Sequence, residues 1–267
     1  GFERLAVTGT TMDDVIRGGA LADLISGEDG NDELFGGVDS VRDVLLGGNV
    51  FESEYRIQHV NGSYVWVLSR GLAVRDAEGN AYRMAGSQTD LTARKLVEER
   101  LVYDALHDGL TGLPNRELFM DRLKQRMEHT KRHPDNFFAV LFLDIDRFKV
   151  VNDSLGHAVG DQLLITTSKR LQLCMRPEDT VSRLSGDEFA ILLNEVKDVS
   201  DGIRVAERIQ ARMSETAVLS AVHRTTTVSI GIIMFNDTFT QPQDMLRDAD
   251  TAMYRAKALG GGRYQIF

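Results

Sequence analysis

The chain has 267 residues, 42% of them hydrophobic and 27% charged, enough for one large globular domain or two ordinary ones with separate cores. Its formal net charge of −9 excludes a general nucleic-acid binder, which needs a basic surface. No apolar run reaches membrane-spanning length, so this segment contains no expected transmembrane helix.

In chain order, Met12–Ile25 reads as helical or mixed, interrupted by Gly18-Gly19. Asp14, Asp23 and Asp32 lie nine residues apart with glycines between them, and GEDGNDELFGG is similar to the nonapeptide that binds calcium in parallel β-helices. Such a solenoid needs several stacked repeats. The period breaks before Asp43, and no calcium site is assigned. Phe51–Ile57, Tyr64–Val74 and Ala81–Gln88 read as antiparallel strands, with Asn61-Gly62 and Glu78-Gly79-Asn80 as hairpin turns. From Thr92 to about His107, Leu96, Val97, Leu101 and Ala105 recur at helical spacing among charges. A polar helix with a narrow apolar stripe suits a connector and a dimer seam.

After Gly109 helices and strands alternate. Helices are expected at Arg116–Thr130, Asp161–Met175, Ile203–Met213 and Asp244–Leu259. Strands are expected at Phe137–Leu143, Thr226–Phe235 and Tyr264–Phe267, with Val181–Leu184 and Phe189–Leu193 forming a hairpin around Ser185–Glu188. The fold class is α+β, with a central sheet and helices on its faces. Cys174 falls in an apolar helical run and reads as a buried bystander. A single cysteine fits a reducing, cytoplasmic setting for this segment, any membrane anchor of the full-length protein lying outside it.

The chemistry is concentrated at two acidic sites. The apolar strand Phe137–Leu143 delivers Asp144-Ile145-Asp146 at its end, and the turn Ser185-Gly186-Asp187-Glu188 offers two more carboxylates. Gly186 lets a backbone approach a ligand without a Cβ in the way. Carboxylates converging from two elements repel unless a divalent ion lies between them, and Mg²⁺ is usually held by one or two carboxylates plus substrate phosphates. The same residues would equally make an acidic surface turn.

Four stretches, DALHDGLTGLPNR (Asp104–Arg116), LDIDRFKVVNDSLGHAVGDQLL (Leu143–Leu164), RLSGDEF (Arg183–Phe189) and ADTAMYRAKALG (Ala249–Gly260), together resemble the GGDEF family of diguanylate cyclases. The resemblance implies a five-stranded, mainly antiparallel sheet wrapped by helices, akin to nucleotidyl cyclases, and a dimer that joins two GTP into cyclic di-GMP and pyrophosphate. It implies that Asp144, Asp187 and the Ile145 carbonyl hold Mg²⁺ (or Mn²⁺), with Asp144, Asp187 and Glu188 catalytic. Asn152 and Asp161 would read the guanine edge, with Phe148, Lys149, Gly186 and Lys257 completing the substrate site around the phosphates. Arg176 and Asp179, five residues before the signature, match the family's RxxD site for inhibition by cyclic di-GMP.

Two positions depart from the family pattern. Ser185 replaces the first signature glycine and would be strained if the turn needed a positive φ there. Gly261 stands where a basic residue often meets the triphosphate; Arg263 follows two residues later.

Phe51–Lys95 resembles the last three strands of a PAS domain and its exit motif, here Asp90-Leu91-Thr92, with the first two strands of that fold not recognised. The expected organisation is a PAS-like sensor at 1–91 with no identifiable ligand, a signalling helix at 92–107 and a GGDEF domain at 108–267. His59 reads as surface and Trp66 as core. The alternative to an active cyclase is a weak or inactive module that binds GTP or cyclic di-GMP and regulates a neighbour, such as a phosphodiesterase domain following it in the full-length protein.

Overall fold

The computed structural model describes residues 5–7, 14–16, 25–27, 30–32, 50–58, 63–79, 81–133, 136–219 and 222–267. The chain divides into two compact units, Gly1–Val102 and Tyr103–Phe267.

The first unit is built on one sheet. Four short strands, β1 (Leu5–Val7), β2 (Asp14–Ile16), β3 (Ile25–Gly27) and β4 (Gly30–Asp32), precede three long ones, β5 (Val50–Gln58), β6 (Tyr64–Arg75) and β7 (Ala81–Asp90). The sheet order is β4-β3-β2-β1-β7-β6-β5. β5, β6 and β7 form an antiparallel meander, and β1 adds to β7 in parallel. The helical reading of Met12–Ile25 is thus corrected to strand at its described ends, where backbone pairing overrides a weak helical pattern. Asp23 lies outside the described residues, as do Asn61-Gly62, Asn80 and His59. Gly79 takes φ 85° and donates to the Asp76 carbonyl at 3.1 Å, closing the β6–β7 turn.

Helix α1 (Thr92–Leu106) leaves β7 through the Asp-Leu-Thr corner. Thr92 N–H donates to Asp90 Oδ1 at 2.7 Å, and Trp66 N–H donates to Thr92 Oγ1 at 2.9 Å. Trp66 is half-buried rather than core, because the Arg56 guanidinium and the Lys95 ammonium lie over its ring at 5.7 and 5.3 Å. Along α1, Leu96, Val97, Leu101 and Val102 are exposed.

The second unit is a five-stranded sheet in the order β14-β13-β8-β10-β9. Its strands are β8 (Phe137–Ile145), β9 (Thr180–Ser185), β10 (Glu188–Val196), β13 (Val228–Met234) and β14 (Tyr264–Ile266), and a separate short hairpin joins β11 (Ala217–Leu219) to β12 (Val222–Arg224). All pairings in the large sheet are antiparallel except β13 with β14. β8 is central and buried on both faces, which is why it reads as an unbroken apolar run. Its two faces define two cores. Phe138, Val140 and Phe142 pack under α2 (Arg116–Arg132) and α6 (Pro242–Ala258). Ala139, Leu141, Leu143 and Ile145 face α3 (Phe148–Leu155), α4 (His157–Leu173) and α5 (Val199–Met213). Cys174 is buried in that second core.

The helix starts follow local chemistry. The Asn115 side chain caps α2 by accepting from Leu118 N–H at 3.1 Å, Asp198 caps α5 through Ser200 N–H at 2.8 Å, and α6 opens on Pro242. The long helix expected at Asp161–Met175 starts earlier, at His157, and α3 precedes it, separated by Gly156 at φ 84°.

Candidate active site at the end of the central strand

Because β8 is flanked on both sides, its last residues share their end of the sheet with two neighbours. The register sets Ser185, Glu188, Asp144 and Ser229 side by side across β9, β10, β8 and β13. Asp187 occupies the intervening turn and its backbone carbonyl accepts from Ile145 N–H at 3.3 Å. The sheet thus brings together Asp144, Asp187 and Glu188.

Asp144 is only 6% exposed. Its Oδ2 accepts from Lys257 Nζ at 2.6 Å, and its Oδ1 is buried with no hydrogen-bond partner. Burial pushes its pKa up to about 6, opposed by the Lys257 ammonium and reinforced by the charges of Asp187 and Glu188. An unpartnered buried carboxylate oxygen is costly unless something satisfies it. Among the described residues, no group of three or more His, Cys, Asp or Glu side chains is placed to hold a metal ion. Two strand-end carboxylates with an open side fit Mg²⁺ better, since that ion keeps places for water and substrate phosphate. Ile145 is fully buried and its side chain carries no ligating atom, so only its backbone carbonyl could serve such a role.

The signature turn is held from beneath. Gly186 takes φ 43°, and a Cβ built there would meet nothing within 4 Å. Its carbonyl accepts from Arg183 Nε at 2.9 Å and Nη2 at 2.8 Å. The remaining arm of that guanidinium, Nη1, donates to both oxygens of Asp108 at 3.0 Å, and Asp108 also accepts from the amide and hydroxyl of Thr111. Burial raises the Asp108 pKa, but the Thr111 and Arg183 bonds outweigh it and the carboxyl ends below the usual range. Ser185 lies outside the left-handed region; among the described residues only Arg147, at φ 59°, is a non-glycine there. The strain condition raised for serine therefore does not arise.

Asn152 lies on α3 with its Oδ1 buried and unpartnered. The helix-to-helix turn at Gly156 brings α4 so close that a Cβ on Gly160 would sit 1.8 Å from Asn152 Oδ1 and 3.4 Å from Phe148 Cζ. Phe148, Asn152 and the start of α4, where Asp161 is exposed, therefore form one wall. Lys149 projects from the first turn of α3 and is exposed. Lys257, expected toward phosphate, pairs with Asp144.

Asp146, in sequence only the second of the two strand-end carboxylates, is engaged within the protein. Its carboxylate accepts from Thr227 Oγ1 at 2.6 Å, Ser229 Oγ at 2.7 Å and Gly262 N–H at 2.8 Å. It ties the Gly260–Gly262 turn, in which all three glycines have positive φ, to the strand ends. Arg263 folds over that turn, its Nε 3.3 Å from the Gly261 carbonyl.

Away from this site, the Arg176–Asp179 turn is closed by Arg176 N–H donating to Asp179 Oδ2 at 3.0 Å, while Asn194 N–H donates to Oδ1 at 3.2 Å. Arg176 is exposed. A groove of about 670 Å³ runs between Pro177–Thr180 and the basic residues Arg122, Arg126 and Arg132 of α2.

These features define a helix-wrapped α+β domain with its acidic residues gathered at one end of a mainly antiparallel sheet. The chain belongs to the GGDEF family: residues 105–263 match the family model described as diguanylate cyclase, GGDEF domain, and residues 5–88 match that of the PAS fold. The diguanylate cyclase TpbB of Pseudomonas aeruginosa is 42% identical over 203 residues, covering 75% of this chain and 46% of TpbB. The bifunctional diguanylate cyclase/cyclic di-GMP phosphodiesterase MucR of the same species is 39% identical over 183 residues, covering 68% of this chain and 26% of MucR. The chain thus spans less than half the length of these curated relatives. Among solved structures, the GGDEF domain of TpbB from Pseudomonas aeruginosa superposes with a TM-score of 0.58 at 40% identity, covering 60% of this chain and 93% of that one. The coiled coil and GGDEF domain of DgcB from Caulobacter crescentus, solved in complex with c-di-GMP, gives 0.60 at 26% identity, covering 66% of this chain and 93% of that one.

Proposed function

We propose that this chain is a diguanylate cyclase that condenses two GTP into cyclic di-GMP and pyrophosphate as a homodimer. The observation that carries the reading is Asp144: a buried carboxylate with one unpartnered oxygen, beside Asp187 and Glu188. In this reading Asp144, Asp187 and the Ile145 carbonyl would hold Mg²⁺ or Mn²⁺, which would supply charge stabilisation at the α-phosphate and leaving group. Glu188 assists the metal site or the activation of the attacking 3′-hydroxyl. Asn152 and Asp161 bind the guanine edge beside Phe148, while Lys149, Lys257 and the open backbone at Gly186 serve the phosphates.

The domain reading is a PAS-like sensor at 1–91, a signalling helix at 92–107 and the cyclase at 108–267. The exposed Leu96, Val97 and Leu101 on α1 support a helical dimer seam. For the product site, the exposed Arg176 supports a guanidinium contact to cyclic di-GMP. Asp179, engaged with Arg176 N–H and Asn194 N–H, shapes the turn.

A second reading, nucleotide binding without turnover in support of a neighbouring domain, is favoured by one observation: no cation stands at Gly261. Incubation with GTP and Mg²⁺ separates the two. Cyclic di-GMP from the native chain and none from Asp187→Ala supports the cyclase; GTP binding without product at high protein concentration overturns it in favour of the sensor.

Gly160→Ala gives a sharper test of the guanine wall. Alanine is at ease in a helix, yet its Cβ must displace the Asn152 amide. The fold should persist while affinity for a fluorescent GTP analogue falls roughly tenfold, the scale of one misdirected buried hydrogen-bonding group. An unchanged affinity would remove Asn152 from the site.

A further inference from the structure

Ser185 is the position where this chain departs from the family signature, and its hydroxyl is engaged. Ser185 Oγ donates to Glu188 Oε2 at 2.5 Å across the narrow β9–β10 pairing. Glu188 lies in the cross-strand position next to Asp144, where two carboxylates face one another on one side of the sheet. Like charges so placed repel, and each has its own protein partner: Lys257 for Asp144, Ser185 for Glu188. The hydroxyl takes only Oε2. Ligating carboxylates work best when a neighbouring donor fixes one oxygen and aims the other. A glycine at 185 supplies no such donor.

We infer that Ser185 is a positioning residue of the metal site: its hydroxyl holds the Glu188 carboxylate so that Oε1 faces the cation bound at Asp144 and Asp187. This rests on the cyclase reading of the site. It assigns the serine a role opposite to a defect, since the substitution adds an anchor to a turn whose backbone does not require glycine there.

The test is Mn²⁺ titration of the full chain with a non-hydrolysable GTP analogue, following free Mn²⁺ by electron paramagnetic resonance. Ser185→Ala and Ser185→Gly should each weaken Mn²⁺ binding about three- to tenfold, below the usual loss for a ligand's partner because residue 185 is exposed. Ser185→Thr, which keeps the hydroxyl, should bind as the native chain does. Thermal unfolding confirms that each variant is folded. Equal or tighter binding by the alanine and glycine variants overturns the inference while leaving the metal site intact. Absence of Mn²⁺ binding by the native chain, as by Asp187→Ala, overturns the cyclase site itself and the inference with it.

Discussion

Gly231→Ala should lower the unfolding temperature of the second unit by about 6–12 °C, corresponding to about 3 kcal/mol or more. Gly231 sits in the middle of β13, under α6. A Cβ there would lie 1.9 Å from the Ala249 carbonyl oxygen and 2.4 Å from Met253 N, both backbone atoms of the helix. Neither can rotate away as a side-chain tip would, so the helix must lift. α6 carries Ala249, Met253 and Ala256 into the core and delivers Lys257 to Asp144. Cyclic di-GMP synthesis should therefore fall together with stability. Calorimetry of the two proteins checks the first point; a variant as stable as the native chain would mean that α6 seats differently on β13.

Asp144→Asn should separate stability from function, raising one while removing the other. In the folded protein the Asp144 pKa stands at about 6, against about 3.9 for an unfolded aspartate. Below pH 4 the group is protonated in both states and contributes nothing. Between pH 4 and 6 the folded state alone keeps the proton, so folding loses stability as pH rises; above pH 6 the full cost is present. Two pK units amount to about 3 kcal/mol. The cation-free asparagine variant should thus be more stable than the native chain at pH 8 by up to about that amount, converging with it below pH 4. Urea unfolding at the two pH values with chelator present measures this. Synthesis of cyclic di-GMP should be lost, the signature of a residue kept for chemistry at the expense of folding. A variant less stable at pH 8 would show that the Lys257 pair outweighs the burial.

Much of this architecture was legible in the sequence. The apolar run of β8 announces a strand buried on both faces, the acidic hairpin announces itself by Gly186, and α6 has a Pro start and regular apolar spacing. What escaped was local structure with no period and contacts with no local signal. α3 has eight residues, starts after a left-handed Arg147 and has no side-chain cap, so neither propensity nor capping marks it. The Arg183–Asp108 fork joins residues 75 apart, and Asp146 collects donors 81, 83 and 116 residues away. Such pairings exist only once the sheet has formed. Gly160 is similar: its lack of a side chain matters because α4 folds back on α3, a fact of tertiary geometry. Trp66 looked apolar enough for a core, but flanking cations from β5 and α1 let it rest at the rim.

The turn at Gly260–Gly262 limits how this site could be remodelled. At residue 261 the backbone is left-handed, φ 73°, and any Cβ would fall 2.9 Å from the Asp146 carboxylate that holds the turn. Grafting an arginine there to clasp a triphosphate would strain the backbone and press on Asp146 together. A stronger clamp would have to be built from Arg263, or from a redesigned partner at 146 and a turn of opposite hand. Charge and loop geometry at this corner are one inherited unit, altered jointly or not at all.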